Sequence, residues 1–421
     1  MRVHLDYGTH GLPLDVADDR TVVVAPRHLA ALPDPAAALA AALGAPTAGQ
    51  PLRHLVPPGQ RLAISVCDVT RAQPRQAMVE AILRALPGTR PADVTILIAT
   101  GTHRANSHDE LLRMLGAELV AQCTVVNHDA RDQASLVSCG TTTSGVPIWL
   151  NRHWVEADVR ITTGFVEPHF FAGFSGGPKM VAPGLAGLAT TLVLHDARHI
   201  GHPAAVWGIT HGNPVHDDVR AIAAATGVTF AVDVALNRDQ AIAQVFAGTL
   251  LEEHAAACAW VKDSAMCPVD GLFDVVVTTN SGYPLDQNLY QAVKGMSAAA
   301  CIVKPGGTII CAAECRDGIP DHGPYGRLLA QRDSPAALLA MVEAPGFAEQ
   351  DAWQVQVQAL IQRRARVRVK ADGLSGAQLR AAHFEPVGDI SAAVREALAL
   401  AGPAARLAIL PHGPQTIPYV A

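Results

Sequence analysis

Short apolar segments alternate with helical segments along most of the 421-residue chain. This alternation predicts an α/β fold with largely parallel sheets. We expect two α/β domains, residues 1–268 and 269–421, with the active site in the cleft between them and the boundary near 265–272. The predicted strands are 61–68, 94–101, 123–128, 159–164, 273–279, 308–313 and 406–410, and the predicted helices are 75–86, 214–226, 250–262, 286–299, 334–344 and 351–365.

Charge and hydropathy argue against several classes of protein. The net charge of -6, with no run of Lys or Arg, disfavours a nucleic-acid partner. No apolar run is long enough to cross a bilayer, and the start of the chain places Asp6 where a signal peptide needs apolar residues. The sequence therefore predicts a soluble, cytoplasmic protein with neither a nucleic-acid nor a membrane partner.

Cysteine and histidine usage gives two further indications. The eight cysteines include no C-x-x-C pair, and several lie in apolar runs, which predicts buried thiols rather than disulfides or a zinc ribbon. Of the 18 histidines, seven lie between residues 153 and 216. This enrichment indicates metal or proton chemistry.

Polar residues follow the predicted strands at their carboxyl ends. In open parallel sheets the ligand crevice lies at this edge, so several polar strand ends predict one shared site. The segments are Asp68-x-x-Arg71, Gly101-Thr102-His103, Glu167-Pro168-His169, Asn280-Ser281-Gly282-Tyr283 and Glu314-Cys315-Arg316-Asp317.

A glycine-rich segment carries a single lysine, Lys179. Glycines at 173, 176 and 177 allow left-handed backbone and close approach to a ligand, and Pro178 restricts the backbone beside the lysine. We interpret Lys179 as a covalent attachment point or an anion clamp. A phosphate-binding P-loop is rejected because Pro178 replaces its glycine and Met180 its hydroxyl residue. The sequence also lacks G-x-G-x-x-G after a strand.

Three histidines, His195, His199 and His202, have the spacing of one helix face. A zinc site is one interpretation, but the segment lacks the glutamate of H-E-x-x-H, and Gly201-His202-Pro203 is expected to end the helix. We favour one of these histidines as the sole protein ligand of a metal that another group holds.

Taken together, six motifs resemble the nickel-pincer-dependent lactate racemase family. The resemblance extends from about Asp68 to Trp353. It is carried by Asp68-Val-Thr-Arg71, Thr100-Gly-Thr-His103-Arg104, Glu167-Pro-His169, Gly176-Gly-Pro-Lys179, His195 and Tyr283-Pro-Leu-Asp-Gln-Asn-Leu-Tyr290-Gln291-Ala-Val-Lys294-Gly.

The resemblance implies a nickel-pincer nucleotide, a pyridinium-3,5-bisthiocarboxylate mononucleotide that holds nickel through sulfur, carbon and sulfur. Lys179 matches the lysine that carries this group as a thioamide, and His195 matches the histidine at the fourth nickel position. Nickel accepts such soft ligands together with an imidazole. Enzymes of cofactor biosynthesis are then the implied partners.

The resemblance also implies a racemase or epimerase of a small 2-hydroxy acid that works by reversible hydride transfer. His103 and His169 match the two acid/base histidines, and imidazoles exchange protons readily near neutral pH. Asp68 is expected to orient Arg71 or a neighbouring histidine. The implied substrate-binding residues are Arg71 and Lys294 at the carboxylate, Gln291 and Tyr290 for further hydrogen bonds, and Trp353 as an aromatic lining.

Alternatives remain for the whole protein and for single residues. The chain could be an epimerase of a longer sugar acid, a carrier of the cofactor without turnover, or a zinc hydrolase. The local alternatives are His103 as a helix cap, His169 as a core histidine, Arg71 paired with Asp68, Gln291 and Lys294 on a solvated face, and the turn 140–145 as either a phosphate cradle or a plain turn.

Overall fold

A computed structural model describes residues 1–17, 19–27, 29–321 and 323–421. The chain forms two compact units that are not continuous in sequence. The N-terminal unit comprises His28–His195 and Ala204–Lys262, and the C-terminal unit comprises Met1–Arg27, Asp196–Pro203 and Asp263–Ala421.

The strands and helices have the following bounds. The strands are β1 Arg2–Leu5, β2 Leu12–Asp15, β3 Thr21–Val23, β4 Leu62–Cys67, β5 Val94–Ala99, β6 Thr124–Asn127, β7 Leu136–Thr141, β8 Pro147–Asn151, β9 Val159–Phe165, β10 Pro168–His169, β11 Gly173–Phe174, β12 Phe230–Leu236, β13 Ile242–Gly248, β14 Met266–Val269, β15 Phe273–Thr279, β16 Val303–Ala312, β17 Arg366–Lys370, β18 Glu385–Pro386, β19 Leu407–Leu410 and β20 Ile417–Val420. The helices are α1 Pro35–Gly44, α2 Leu52–Leu55, α3 Arg75–Ala85, α4 His108–Gln122, α5 Arg152–Val155, α6 Leu188–Leu194, α7 Ala197–Ile200, α8 Pro214–Thr226, α9 Leu250–Ala265, α10 Leu289–Ala300, α11 Tyr325–Leu329, α12 Pro335–Val342, α13 Ala352–Arg364, α14 Gly376–Ala381 and α15 Ile390–Ala401.

The N-terminal unit is built on a sheet of order β13-β12-β9-β4-β5-β6. Its strands pair in parallel except for β13, which runs antiparallel to β12. Because the chain leaves β4 towards β5 on one side and later returns to β9 on the other, the carboxyl ends of β4 and β9 form a topological switch point. Ligands bind at this position in open α/β sheets.

Buried side chains on both faces hold strand β4 in the centre of this sheet. All six of its residues are buried. Leu62, Ile64 and Val66 pack with α3 in one core, and Ala63 packs with Trp154 in a second core on the opposite face. Full burial of each large aliphatic side chain stabilises the fold by about 1.5–3 kcal/mol. The position of the residues that follow β4 is therefore firmly set.

The C-terminal unit contains a second sheet, of order β18-β17-β16-β15-β19-β3, in which every neighbouring pair is parallel. Its edge strand β3 comes from the start of the chain and pairs with β19, with Val22 opposite Ala408. The predicted division placed residues 1–27 and 196–203 with the N-terminal domain, whereas contacts such as this one group them with the C-terminal unit.

The α/β class with largely parallel sheets is confirmed. The predicted strands and helices recur with small shifts at their ends, but β12 and β13 lie unpredicted between the two Ala-rich helices α8 and α9. All eight cysteines are unpaired thiols. In the described ranges, every helix is too short or too polar to cross a bilayer.

Candidate active site

Three loops of the N-terminal unit bring predicted site residues to the carboxyl edge of its sheet. Asp68 directly follows β4, His103 lies four residues after β5, and His169 lies four residues after β9. Since β4 lies between β5 and β9, these loops are neighbours at one edge. Of the three, the loops after β4 and β5 are joined directly, by the contact between Asp68 and His103.

Asp68 and His103 form a hydrogen-bonded pair. Oδ2 of Asp68 lies 2.8 Å from Nδ1 of His103, with the side chains 5% and 49% exposed respectively. Oδ1 of Asp68 accepts from the Thr70 hydroxyl at 2.7 Å. Burial alone would raise the pKa of Asp68, but the hydrogen bond and charge of His103, with Arg71 and Thr70, outweigh it, so this pKa lies below its ordinary value.

The tautomer of His103 follows from this pair. An ionised carboxylate only accepts hydrogen bonds, so Nδ1 of His103 carries the donated proton and the lone pair of the neutral ring lies on Nε2. A cap on α4 is not the role of His103, because Ser107 caps that helix in a complete capping box with Glu110.

Arg71 does not pair with Asp68. Its guanidinium donates to the Thr70 hydroxyl at 3.2 Å, and the side chain is half-buried. The expected orienting role of Asp68 therefore falls on the histidine. A half-buried guanidinium beside a strand end can bind a carboxylate through two parallel hydrogen bonds.

The sequence analysis missed Arg75, which holds the loop after β4. This buried guanidinium donates to the carbonyls of Cys67 at 2.7 Å, Arg71 at 2.5 Å and Gln73 at 3.1 Å, and it also bonds the carbonyl of Asp68. An arginine in the first turn of a helix usually faces solvent, so its sequence position gave no sign of this role.

His169 presents the opposite tautomer. Its Nδ1 accepts from the backbone N–H groups of Phe171 at 3.4 Å and Ala172 at 3.2 Å. The neutral ring therefore carries its proton on Nε2. The ring stacks on Phe170 at 5.0 Å between centroids, and the residue is half-buried rather than part of the core.

Three predicted site residues surround one aromatic ring, that of Phe171. The His169 ring lies 4.5 Å from the Phe171 centroid, the His195 ring 5.1 Å from it, and Nζ of Lys179 is 5.6 Å from it. Phe171 was not singled out from the sequence, because a buried phenylalanine ordinarily serves only a core. Here it spaces an amine and two imidazoles around a common centre.

Lys179 lies in a tight 3₁₀ turn, Gly177–Met180. Gly176 and Gly177 have φ of 73° and 48°, and a Cβ on Gly177 would lie 2.4 Å from the His254 ring, so only glycine fits there. Lys179 accepts through its carbonyl from Gly184 at 3.2 Å, and Gly184 in turn accepts from Gly101 at 2.9 Å. The loop after β5, which carries His103, is thereby joined to the lysine segment.

His195 has the arrangement of a metal-binding imidazole. It is the C-cap of α6 and is 8% exposed, with Nδ1 2.8 Å from the Thr191 carbonyl oxygen. Since a carbonyl only accepts, Nδ1 donates and the neutral ring has its lone pair on Nε2. A backbone carbonyl commonly fixes metal-binding histidines in this way.

The three-histidine helix is not formed. Helix α6 ends at Leu194, and the single-turn helix α7 starts only at Ala197, capped by Asp196. His195 and His199 therefore do not share a helix face. Among the residues that the structure describes, no group of three or more His, Cys, Asp or Glu side chains could hold a metal ion.

The remaining substrate-binding candidates lie together in the C-terminal unit. Tyr290, Gln291 and Lys294 lie on α10 and are half-buried, so they do not form a fully solvated face. Nε1 of Trp353 donates to the Tyr290 hydroxyl at 3.1 Å, and Gln354 donates to the Tyr290 carbonyl at 2.5 Å. Tyr290 and Trp353 are thus held as one aromatic pair.

The segment 140–145 comprises the last two residues of β7 and the turn that leads to β8. The hydroxyls of Thr142 and Ser144 lie 2.7 Å apart, and Ser144 also donates to the carboxylate of Asp218. A carboxylate against these hydroxyls disfavours a phosphate, so the plain-turn interpretation is preferred.

Comparison with known proteins assigns the chain to a class and then to a family. The family model of the lactate racemase N-terminal domain matches residues 7–208, and that of the lactate racemase C-terminal domain matches residues 270–417. The lactate racemase of Lactiplantibacillus plantarum is 35% identical over 370 residues, which are 87% of this chain and 87% of the relative. The lactate racemase of Thermoanaerobacterium thermosaccharolyticum is 33% identical over 379 residues, 89% of this chain and 88% of the relative.

Solved structures agree with these matches. The lactate racemase apoprotein from Thermoanaerobacterium thermosaccharolyticum superposes on this chain with a TM-score of 0.92 at 30% identity. The match covers 99% of this chain and 100% of the apoprotein chain. A Thermotoga maritima protein with a TM-score of 0.65 and 17% identity shares the fold. The matches define an enzyme of the isomerase class. The chain belongs to the lactate racemase family.

Proposed function

We propose that this chain racemises lactate, or a closely related small 2-hydroxy carboxylate, by reversible hydride transfer with two histidines as acid and base. One observation carries the proposal: His103 and His169 follow strands β5 and β9 at the same edge of one sheet, and hydrogen bonds at Nδ1 fix the orientation of each ring. A racemase needs two proton-exchanging groups, since the hydroxyl points to opposite sides in the two enantiomers. A carrier of a cofactor would need neither.

A covalently attached nickel-pincer nucleotide fits the donor set around Phe171. Lys179 would hold it as a thioamide, and Nε2 of His195 would bind the nickel, a metal for which imidazole is a suitable ligand. The hydrogen bond from Nδ1 of His195 to Thr191 supports this role, because it fixes the ring and its lone pair. When bound, this cofactor supplies a carbon that accepts and returns a hydride.

The histidines move the proton of the substrate hydroxyl. Nε2 of His103 accepts it from one enantiomer, and the resulting imidazolium is stabilised by the ionised Asp68 on Nδ1. On the other side, His169 in its imidazolium form returns a proton from Nε2 to the carbonyl oxygen of the planar 2-keto acid and becomes neutral. In the reverse direction the two rings exchange roles.

Charged and aromatic side chains bind the rest of the substrate. Arg71, with its guanidinium at the end of β4, and Lys294 on α10 would pair with the carboxylate. Gln291 and Tyr290 would add hydrogen bonds, and Trp353, which is bonded to the Tyr290 hydroxyl, would limit the size of the substrate.

The cofactor part is tested by intact mass. Protein made together with cofactor-biosynthesis enzymes should contain nickel and carry an adduct that is lost in Lys179→Ala. The matched control is Lys262→Ala, which removes an exposed lysine of α9 and should keep the adduct. Active, matured protein with an unmodified Lys179 would contradict covalent attachment.

The substrate part is tested with single enantiomers of lactate, malate, 2-hydroxyglutarate and gluconate, by following chirality over time. Lactate should racemise fastest. Turnover of gluconate alone would favour an epimerase of longer sugar acids. A nickel-loaded protein that racemises none of the four would favour the carrier interpretation.

A further inference from the structure

A buried layer of titratable side chains lies beneath the Lys179 loop, outside the groups that the proposed reaction uses. Asp233 on β12 accepts the Gly177 N–H through Oδ2 at 2.7 Å. A Cβ on Gly164 would lie 2.5 Å from the other oxygen, Oδ1. The carboxyl of Asp233 therefore contacts both strand β9 and the loop that leads to Lys179.

Asp233 faces a second buried acid, Glu253 on α9. The two residues are 1% and 0% exposed. Their carboxyls interact directly, since each of them affects the pKa of the other. Oδ1 of Asp233 and both carboxyl oxygens of Glu253 are buried and accept no hydrogen bond from any donor among the described residues. Burial raises the pKa of both groups, and that of Glu253 further, because two adjacent buried carboxylates cannot both be ionised.

Two histidines complete the layer. Nε2 of His254 lies 2.8 Å from the Ser175 carbonyl oxygen, and Nδ1 of His216 lies 3.0 Å from that of Ala172, so both nitrogens donate. The rings stack at 5.7 Å. Burial lowers the pKa of His254 to about 4 and that of His216 to about 3, so both are neutral at physiological pH. Together with Asp233, they fix three backbone groups between residues 172 and 177.

We infer that Asp233 and Glu253 form one buried acid pair with a single shared proton, and that this pair positions the Lys179 loop for cofactor attachment. Glu253 carries the proton and donates it to Oδ1 of Asp233, while Oδ2 of Asp233 holds the Gly177 N–H. Asp233 and Glu253 are positioning residues rather than catalytic ones. The part that concerns attachment rests on the proposed function of Lys179.

The inference predicts a pH-dependent loop. Loss of the shared proton leaves two adjacent buried carboxylates, and their repulsion is relieved when the Asp233 carboxylate turns away from Glu253, which breaks its hydrogen bond with Gly177 and frees the loop. The other titratable or charged groups that face the pair or its neighbours are Cys67 from β4, Lys179 from the loop, His216 and Arg220 from α8, and His254 and Cys258 from α9. Burial raises the pKa of both thiols, that of Cys67 to about 12, so neither titrates near neutral pH.

The test is Glu253→Gln, because a glutamine amide donates to Asp233 as a protonated glutamate does but cannot ionise. Hydrogen exchange at the Gly177 amide is measured on protein without cofactor, as a protection factor from pH 6 to pH 9. In the wild type, protection should fall on the order of tenfold as the proton leaves. In Glu253→Gln it should change less than about twofold over this range, with Lys179 and the other neighbours unchanged.

The matched control is Glu252→Gln, which changes the adjacent, exposed glutamate of the same helix and should follow the wild-type profile. Equal profiles in Glu253→Gln and wild type would overturn the inference, as would a flat profile in the control. Failure of Glu253→Gln to fold would also overturn it, since the variant supplies the same hydrogen bond.

A second measurement addresses attachment. After co-expression with the cofactor enzymes, Glu253→Gln should carry the Lys179 adduct within about twofold of the wild type, and Asp233→Ala less than about a tenth as much. Full loading of a folded Asp233→Ala would refute the positioning role. Absence of the adduct from the wild type would instead defeat the proposed function and leave the exchange profile of Gly177 intact.

Discussion

Each unit has a histidine–aspartate pair at the carboxyl edge of its sheet, and the two pairs differ in burial. In the N-terminal unit His103 follows β5 and bonds Asp68 at 2.8 Å, with the imidazole 49% exposed. In the C-terminal unit His412 follows β19 and bonds Asp6 at the same distance, 2.8 Å, with the imidazole only 19% exposed. The same two side chains at equivalent places thus differ in how far they can reach a ligand.

The surroundings of the two pairs explain the difference. Polar groups at strand ends of the C-terminal unit mainly fasten its own backbone: Asp286 accepts from the N–H groups of Gly8 at 2.7 Å and Glu314 at 2.9 Å. In the N-terminal unit Arg75 does this fastening, which leaves Asp68 to orient a histidine. In this chain, the carboxylate that orients a half-exposed histidine is thus the one whose loop is held by another group.

The largest expected effect is on the racemisation rate, and it distinguishes His103 from His412. His103→Asn should lower the racemisation rate by about 10²–10⁴-fold, because it removes a base and leaves the Lys179 adduct in place. His412→Asn, the matched change in the other unit, should stay within about twofold of the wild type. Rates from each enantiomer, with intact mass to confirm the cofactor, provide the measurement. Equal losses of rate in the two variants would show that the difference in exposure between His103 and His412 does not matter for activity.

Substitution of Arg75, which holds the loop after β4, should lower the free energy of unfolding. Arg75→Met keeps the apolar stem but leaves several carbonyls without a donor, so we expect a loss of about 3 kcal/mol in the free energy of unfolding. Denaturant titration of the apoprotein measures it. Asp286→Asn, the corresponding fastening group of the C-terminal unit, should cost less, about 1–2 kcal/mol, since its carbonyl oxygen can still accept. A fully stable Arg75→Met protein would be incompatible with this role.

Substitution of the orienting carboxylate should act mainly on catalysis. Asp68→Asn should lower the rate about 10–100-fold, because the imidazolium of His103 loses its partner. The folded-state pKa of Asp68 is depressed, so its contribution to stability is present above about pH 4 and is lost as the pH falls through the folded value. Unfolding curves of wild type and variant should therefore converge in acid. Asp6→Asn provides the control for the rate, which should be unchanged.

The smallest effect concerns the aromatic pair of the C-terminal unit. Trp353→Phe keeps an aromatic ring but removes the hydrogen bond to Tyr290, so KM for lactate should rise about fivefold, for a loss of about 1 kcal/mol. The value of kcat should change little. A fall in kcat without a change in KM would mean that Trp353 acts on the reaction rather than on binding.

Much of the fold was predictable because apolar runs report burial on both faces of a strand. Strands β4, β5, β9 and β15 were predicted within two residues of their ends. Strand β12 was missed, since Asp233 interrupts its apolar run and Ala-rich helices flank it. Sequence patterns treat a carboxylate as exposed, and here it is buried.

Part of the candidate site was also predictable. Asp68, His103 and His169 were singled out because polar residues directly after buried strands converge at one edge. Phe171, Arg75 and Glu253 were missed, because their roles depend on partners distant in sequence or on burial that their residue type does not suggest.

The sequence by itself determined the α/β class, the family and the order of the strand-end loops, since these follow from local hydrophobic patterns and short motifs. Only the tertiary structure decided which oxygen of Asp68 meets which nitrogen of His103, that the tautomer of His169 is the opposite one, and that an acid pair lies beneath Lys179. Hydrogen-bond direction and the ionisation of buried groups depend on which distant segments pack together, and no local pattern encodes that packing.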